Sequence, residues 1–437
     1  MQAASTNGEI VLNSHEITHT AQAWVVTLTA SLFFFYTFIQ LNLFNAIDVE
    51  LMQAFHLNAP ELGQLSSMFF YANVLFLFPA GILLDRFSTK KILLMSVLLS
   101  SVGTLIFGLA DNYIVAATGR FLVGTGAAFC FLSCIKIASR WFPPTKMALV
   151  TGIIVTMAML GGLVAQTPLA MLSHLVGWRS AVLMDAGLGA FIFLAILLLV
   201  HDYPSHHHDK HIADKAHLQT LGFWKSMGLV MLNPQNWLGG IYTALMNLPV
   251  FLLGALWGIH YLMQVHQVSL MQASYATTLF FVGVIFGSPF FGWVSDRMSR
   301  RVLPMLLGAV VSLIVMLVLL YVPGLSFATV LLLFFLVGFV TSSQVLSYPT
   351  VAEHNPTSLT STAISIVSTV IMFSGVVFQP LFGWAMQWHW DHTMVDGAPI
   401  YTASDMLNAM LMMPIAFVVA FFVALFIKET HGKLQHG

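Results

Sequence analysis

Long apolar runs separated by short polar stretches dominate the chain. Twelve of them hold about 20 residues or more, enough for a helix to cross about 30 Å of hydrocarbon. The pattern therefore predicts an all-α membrane protein with twelve transmembrane helices. The runs fall at roughly 23–46, 62–84, 91–110, 113–139, 147–171 and 178–200, and then at roughly 237–262, 271–295, 302–322, 326–350, 359–386 and 406–428.

Composition excludes a soluble globular protein. Of 437 residues, 58% are hydrophobic and only 8% are charged, and the mean hydropathy is +0.86. This leaves too few charges to cover a soluble surface of this size. The net charge of −1 and the lack of a basic tract predict no nucleic-acid partner. Cys130 and Cys134 lie one helical turn apart, where a disulfide does not form easily, and are interpreted as packing residues.

A short motif occurs twice and divides the chain into halves. Gly81-Ile-Leu-Leu-Asp85-Arg86 follows the second apolar run, and Gly292-Trp-Val-Ser-Asp296-Arg297 follows the eighth. Both the glycines and the aspartates are 211 residues apart, and a weaker echo places Pro144 and Pro356 212 residues apart. Each motif predicts a close-packing glycine inside the membrane with fixed charges beside it in water.

The repeat predicts five parts: a tail at 1–22, a six-helix bundle at 23–200, a linker at 201–236, a second bundle at 237–428 and a tail at 429–437. The linker carries six histidines, which leaves metal binding open, but we prefer a solvated linker because no ligand geometry is implied. We expect no metal site. Residues 221–232 are a candidate interfacial helix. The histidines are His201, His206, His207, His208, His211 and His217.

The distribution of cations predicts the orientation. With the first tail in the cytoplasm, thirteen of the sixteen Lys and Arg residues fall on the cytoplasmic side, whereas Arg179 falls outside and Arg120 and Lys136 lie within a span. Both termini are therefore predicted to be cytoplasmic. Both Asp-Arg loops then lie on that same face, as a parallel repeat requires.

The paired loops resemble the signature of the major facilitator superfamily, although Ser88 and Ser299 replace a glycine that is usual there. Arg120, followed by Gly124 and Gly126, resembles the family's fourth-helix pattern. The resemblance implies two pseudo-symmetric six-helix bundles around a cavity lined by spans one, four, seven and ten. It also implies a conformational switch in the loops, formed by Gly81, Asp85, Arg86, Gly292, Asp296 and Arg297, that holds the cytoplasmic side closed.

Charges inside spans are candidate functional groups because they are costly in lipid. Lys136 is predicted to face the cavity and bind an anionic group of the substrate; the alternative is that it snorkels to the cytoplasmic surface. Arg120 is a second candidate contact, with a structural hydrogen-bonding role as the alternative. Asp185 is a candidate partner of Arg120 or a proton carrier, beside His260 and Glu353 as further proton carriers; a charge satisfied locally near the outer water is the alternative for Asp185.

Polar side chains recur on one face of several predicted spans. Tyr36 and Gln40 are four residues apart in span one, Asn247 lies in span seven, and Gln344 and Tyr348 are four apart in span ten. Each one singly is explained by an ordinary interhelical hydrogen bond. Together they are interpreted as substrate contacts.

The sequence thus predicts a monomeric secondary transporter in a bacterial inner membrane, coupled to protons, for a small carboxylate-bearing solute such as an amino acid. The stretches Cys134–Pro144 and Gly161–Leu169 resemble the phagosomal transporter branch of the superfamily. Polycarboxylate siderophore transport and non-transporting sensing are the alternatives. No convergent catalytic site and no nucleotide-binding loop are evident, so neither an enzyme nor a cofactor is expected.

Overall fold

A computed structural model describes residues 6–142, 147–203, 228–355, 359–388, 390–391, 393–395, 398–399 and 401–432. Several predictions fall outside these residues. They concern the proline echo, five of the six linker histidines, the first part of the interfacial helix, and the side chains of Asp85 and Arg86.

Helices make up almost all of the first half. In chain order they are α1 (Thr6–Asn42), a 3₁₀ turn (Leu43–Ala46), α2 (Asp48–Phe55), α3 (Ala59–Arg86), α4 (Thr89–Gly108), α5 (Tyr113–Ala127), α6 (Cys130–Trp141), α7 (Met147–Val164), α8 (Thr167–Val176) and α9 (Trp178–Leu199). Short polar side chains begin several of them. For example, the Asn58 side chain accepts a hydrogen bond from the backbone N–H of Glu61 at 2.9 Å. The Glu61 carboxylate in turn accepts from the backbone N–H of Asn58 at 2.9 Å.

The second half repeats this arrangement. It contains α10 (Pro234–Met246), a π-helical segment (Val250–Trp257), α11 (Gly258–Val265), α12 (Leu270–Met298), α13 (Val302–Tyr321), α14 (Phe327–Thr341), a 3₁₀ turn (Ser342–Leu346), α15 (Ser347–Glu353), α16 (Thr360–Gln387), α17 (Ala403–Met410) and α18 (Met412–Phe426). One antiparallel hairpin joins β1 (Met394–Val395) to β2 (Ala398–Pro399).

The helices have the length and apolar character of membrane spans. Within the described residues, ten helical stretches are long and apolar enough to cross a membrane, and Pro234–Met246 with Val250–Val265 forms an eleventh, bent by 40°. Helix α3, with 28 residues, occupies the place of the second predicted span. The protein is therefore an all-α, multi-pass membrane protein, as the apolar pattern predicts.

Several of the predicted spans are interrupted within the described residues. Span four breaks between α5 and α6, span five between α7 and α8, span seven at the π-helical segment, span ten at its 3₁₀ turn, and span twelve between α17 and α18. Broken helices at membrane depth persist only where protein or a water-filled cavity satisfies the freed backbone groups. Among these, spans four, seven and ten carry predicted site residues.

We name the two ends of the helical bundle by their loops. The motif face carries residues 87–88 and 299–301, and the hairpin face carries β1 and β2. Hydrogen bonds between the halves lie in the hairpin-side part of the described structure. Examples are Ala59 N to the Tyr401 hydroxyl at 2.8 Å and the Thr167 and Thr278 hydroxyls at 2.8 Å. In this conformation the halves therefore close the hairpin face.

Helices approach closely where glycine removes the side chain. A Cβ on Gly124 would lie 2.1 Å from the Phe69 carbonyl oxygen, which explains the fourth-helix pattern. The motif glycines behave differently: among described atoms, a Cβ on Gly81 or Gly292 would have no neighbour within 4 Å. The prediction that they pack closely is wrong for this conformation, because the halves meet at the opposite face.

Candidate functional site

Arg120 on α5 is a fully buried cation, with 1% of its surface exposed. Its Nη1 donates to the backbone oxygen of Gln40 at 2.8 Å. Aromatic rings surround the guanidinium, whose carbon lies 4.5 Å from the ring centre of Phe44, 5.4 Å from that of Phe69 and 6.0 Å from that of Phe107. Ring faces attract a cation and replace part of its lost hydration.

Gln40 connects this cation to an acid. Its Nε2 donates to Oδ2 of Asp185 on α9, while its backbone oxygen accepts from Arg120. Gln40 thus contacts Arg120 with its backbone carbonyl and Asp185 with its side-chain amide. Arg120 and Asp185 form no direct salt bridge, so the predicted pairing of the two is not present in this conformation.

Three buried polar atoms of these residues have no hydrogen-bond partner within the described structure. They are Nε and Nη2 of Arg120 and Oδ1 of Asp185. A buried polar atom without a partner costs about 1–3 kcal/mol, and more if charged. Arg120 can therefore donate hydrogen bonds to an anion, and Asp185 can accept a proton or a hydrogen bond.

Tyr36 completes this group, one helical turn before Gln40. Its hydroxyl donates to Thr104 Oγ1 on α4 at 3.0 Å, and its ring is fully buried. We call Tyr36, Gln40, Arg120 and Asp185 the buried charge cluster. Four predicted site residues from three different spans meet there.

An apolar cleft of about 180 Å³ adjoins Asp185. It opens between α8 and α9, where Pro168 and Met184 are exposed. Its remaining lining comes from Ile39, Val164, Leu169, Leu172, Ala181 and Leu188.

Lys136 lies elsewhere, near the motif face. Its Nζ donates to the backbone oxygen of Leu84 at 2.5 Å, two residues before the end of α3. The side chain is only partly buried. The placement of Lys136 in the cavity therefore stays a prediction, with snorkelling to the surface as its alternative.

The other predicted contacts lie in the second half. Asn247 caps the end of α10, Gln344 lies in the 3₁₀ turn of span ten, and Tyr348 lies on α15. The Gln344 backbone oxygen accepts from the Ser347 hydroxyl at 2.9 Å. No hydrogen bond among the described residues joins these three to the buried charge cluster, so the predicted site is divided between the halves.

Sequence reasoning missed the partner of His260. Its Nδ1 lies 3.1 Å from Oδ2 of Asp48 on α2, and both side chains are buried. The sequence analysis assigned Asp48 no role, since nothing near it in the chain indicates a partner 212 residues away. The contact joins the two halves at the hairpin face.

Glu353 belongs to an ionic network at the motif face. Arg301 lies 2.9 Å from Glu353 and 2.6 Å from Asp296. Glu429, just beyond α18, accepts from Arg301 N at 2.7 Å and Val302 N at 3.0 Å. Burial opposes ionisation of Glu429, but these backbone donors outweigh it and lower the pKa of that carboxyl. The motif residue Asp296 is therefore held by its own half.

Asp202 has the corresponding position in the first half, just beyond α9. It accepts from Lys90 N at 2.9 Å and pairs with Arg140 at 3.2 Å. The sequence analysis identified neither Asp202 nor Glu429. In each half, the acid lies three residues after the end of the last helix, and this position is the signal that the two share.

Comparison with known proteins decides the family. The sequence profile of the Major Facilitator Superfamily matches residues 28–253 and 239–435, which together span most of the chain. The chain belongs to the Major Facilitator Superfamily.

Curated relatives of this superfamily member carry transporter or sensor names. The probable galactarate/D-glucarate transporter GudP of Escherichia coli is 26% identical over 58% of this chain and 61% of its own length. The probable sulfoacetate transporter SauU of Cupriavidus necator is 26% identical over 38% of each chain. The membrane sensor protein UhpC of Salmonella typhimurium is 22% identical over 68% of this chain and 70% of its own.

Solved structures agree on the fold. An inward-facing, occupied bacterial homologue of the lysosomal transporter Spinster superposes with a TM-score of 0.73 at 18% identity, over 94% of this chain and 98% of the other. A D-xylose–proton symporter gives 0.74 at 14% identity, over 94% and 99%. The superfamily and its named relatives confirm that the chain is not an enzyme. The phagosomal branch is not confirmed and stays a prediction.

Proposed function

We propose that this superfamily member is a secondary transporter of a small carboxylate-bearing solute. The observation that carries the proposal is the buried guanidinium of Arg120, two of whose nitrogens have no hydrogen-bond partner among the described residues. A cation with spare donors in a low-dielectric site is complementary to an organic anion. Relatives named as probable transporters of galactarate, D-glucarate and sulfoacetate, all small anions, support this substrate class. Amino acids remain within the proposed class because they too carry a carboxylate.

Asp185 supplies a route to proton coupling. A substrate carboxylate that binds Arg120 places a second anion in the buried charge cluster, which contains Asp185 and one cation. Two anions beside one buried cation leave a net negative charge, which low dielectric disfavours. Anion binding therefore favours the protonated form of Asp185, so that solute and proton bind together. His260 and Glu353 remain the other candidate carriers.

The remaining predicted contacts complete the proposed site. In the second half, hydrogen bonds to the polar atoms of the solute would come from Asn247, Gln344 and Tyr348. Lys136 would attract the anion from the motif face. Their separation from the buried charge cluster fits a solute bound between two halves that close on it.

Transport would proceed by alternating access across the bacterial inner membrane. The distribution of Lys and Arg supports a cytoplasmic motif face and cytoplasmic termini. With this orientation, the conformation described above is closed to the outside, and the motif loops act when the cytoplasmic side closes.

A nutrient sensor on the same fold is the second candidate. Its specific support is the match to UhpC, named a membrane sensor protein, which extends over 68% of this chain. A sensor needs binding and a conformational response but no flux.

Reconstitution into proteoliposomes separates the two functions. We would measure uptake of sugar diacids, sulfoacetate, amino acids, nucleosides and polycarboxylates, with and without an imposed proton gradient, and binding of the same compounds by calorimetry. Gradient-dependent uptake of a carboxylate supports the transporter. Binding without flux supports the sensor, and selective uptake of a neutral nucleoside contradicts the proposed substrate class.

A further inference from the structure

The π-helical segment Val250–Trp257 interrupts span seven, and all eight of its residues are buried. It follows α10 after a bend of 40°. A π-helix joins residues five apart instead of four, is rare, and occurs frequently at functional sites. An uninterrupted α-helix would pair all of these backbone N–H and C=O groups internally. The π form is therefore expected to need a stabilising contact from outside the segment.

Two side-chain amides from the first half supply that contact. Gln166 Nε2 donates to the Gly254 oxygen at 2.9 Å, and Ile259 N donates to Asn45 Oδ1 at 3.0 Å. Asn45 Nδ2 in turn donates to Gln166 Oε1 at 2.7 Å. Gly254 and Ile259 are five residues apart, which is the spacing of one π-helical rung.

We call Asn45 and Gln166 the carboxamide clasp. Both side chains are fully buried. Asn45 lies in the 3₁₀ turn after α1, and Gln166 lies at the break between α7 and α8. Every hydrogen bond from the clasp to span seven therefore crosses between the halves at the hairpin side. The neighbouring bond of His260 to Asp48 crosses in the same way.

Span seven also carries the residue that makes the π form possible. A Cβ on Gly258 would lie 2.0 Å from the Leu253 oxygen, five residues earlier. No other residue fits there while the segment is π-helical. In an α-helix the Gly254 oxygen pairs with the N–H of residue 258, and Ile259 N pairs with the oxygen of residue 255. Both groups then stay satisfied without the clasp.

We propose that the carboxamide clasp is a gate that keeps the hairpin face shut by holding span seven in its π form. When the clasp separates, Val250–Trp257 rewinds toward an α-helix, and residues beyond it, including His260, rotate by about 100°. The rotation moves His260 away from Asp48, so the contacts of the clasp with span seven and the contact of His260 with Asp48 are lost together. The inference rests on the proposed alternating access, but its test needs no substrate.

The reporter is Thr278→Cys in protein reconstituted into nanodiscs. The Thr278 hydroxyl is partly buried and lies 2.8 Å from that of Thr167 on the facing half, so a thiol there should be less accessible while the hairpin face is shut. We would measure its labelling rate with a hydrophilic maleimide. The chain without Thr278→Cys reports the background from Cys130 and Cys134, which are buried.

Asn45→Asp and Gln166→Glu keep the size of each side chain but remove a donor that the clasp needs. We expect the labelling rate of the reporter to rise about tenfold, the effect of losing one to two net hydrogen bonds. Gln53→Glu makes the same chemical change at an exposed position on α2 and should leave the rate unchanged.

Gly258→Ala tests the gate without adding charge. The new methyl group is incompatible with the π form, so the labelling rate should rise as it does for the clasp variants. Gly187→Ala, where a Cβ would meet no described atom within 4 Å, is the matched control. An unchanged rate in folded Gly258→Ala, judged by its gel-filtration profile, would overturn the proposal even if the clasp variants fail to fold. Altered labelling without any measured uptake would count against transport, not against the gate.

Discussion

At the residue scale, the functional chemistry depends on charges that the membrane makes costly. Arg120 and Asp185 stay buried because Gln40 hydrogen-bonds to both of them and aromatic rings face the cation. Removing one member of such an arrangement leaves the other charge uncompensated. Substitutions that keep shape while changing charge are therefore the informative ones.

Asp185→Asn should separate solute binding from proton coupling. The amide cannot release a proton, so we expect accumulation driven by a proton gradient to fall at least about tenfold. Exchange of labelled for unlabelled solute should persist, because Arg120 remains available to the anion. Asp111→Asn, at an exposed hairpin-face position, is the control. Loss of exchange and accumulation in parallel would show that Asp185 is needed for binding or folding rather than for coupling.

Lys136 offers a second test at this scale. If it binds a substrate carboxylate, Lys136→Ala should raise the half-saturating solute concentration roughly 10- to 100-fold, the effect of losing a charge-assisted hydrogen bond. Lys136→Arg should then restore affinity poorly, because the planar guanidinium has a different geometry. Snorkelling instead predicts that Arg is tolerated and that Ala alters expression more than affinity. Retained affinity in Lys136→Ala would remove this residue from the site.

At the element scale, glycines decide which helices touch. Gly124 brings α5 against the backbone of α3, and Gly103 and Gly119 bring α4 against α5, where a Cβ on either would lie 2.7 Å from the other's oxygen. Interhelical packing supplies association energy in lipid, since apolar side chains gain little by leaving it. These glycines therefore fix α3 and α4 as close neighbours of α5.

Gly124→Ala should destabilise the first half by about 1–3 kcal/mol, the usual cost of overpacking, because its methyl group meets the Phe69 backbone. Gly187→Ala on α9 faces open space and should gain up to about 1 kcal/mol in helix propensity. Thermal unfolding in detergent, followed by the loss of helical circular dichroism, compares the two. Equal melting temperatures would mean that α5 and α3 can separate without cost.

At the scale of the whole molecule, the halves meet at the hairpin face, and the ionic networks of the motif face stay within each half. Asp296 bonds to Arg301 of its own half, and 71% of its side chain is exposed. Its proposed role across the halves belongs to the opposite conformation. Neutralising it should leave the present conformation intact and weaken the other.

Asp296→Asn, and equally Asp85→Asn, should therefore shift the population toward the conformation open at the motif face and slow transport. Spin labels on Phe87→Cys and Met298→Cys, exposed at the motif-face ends of α3 and α12, would report the distance between the halves. We expect the longer distance to become more populated by roughly tenfold relative to the shorter one. An unchanged distance distribution in both variants would exclude the loops as a conformational switch.

The sequence by itself determined the spans, the duplication and the class of protein. Each apolar run is a local property, because any helix crossing hydrocarbon must satisfy its own backbone and present apolar side chains. The sequence also revealed the repeated Asp-Arg loops and the pattern of Arg120 with its glycines, because these too are local patterns. Candidate charges were found because burial in lipid is costly wherever it occurs.

Only the tertiary structure decided which of these residues meet. The bridge from Arg120 through Gln40 to Asp185, the pairing of His260 with Asp48, and the insertion of Asn45 and Gln166 into span seven all join segments far apart in the chain. Amide and carbonyl groups bind one another in many combinations, so their partners follow from helix packing and not from local pattern. The π-helical segment is the clearest case, since its apolar sequence is equally compatible with a plain α-helix until the other half binds its backbone.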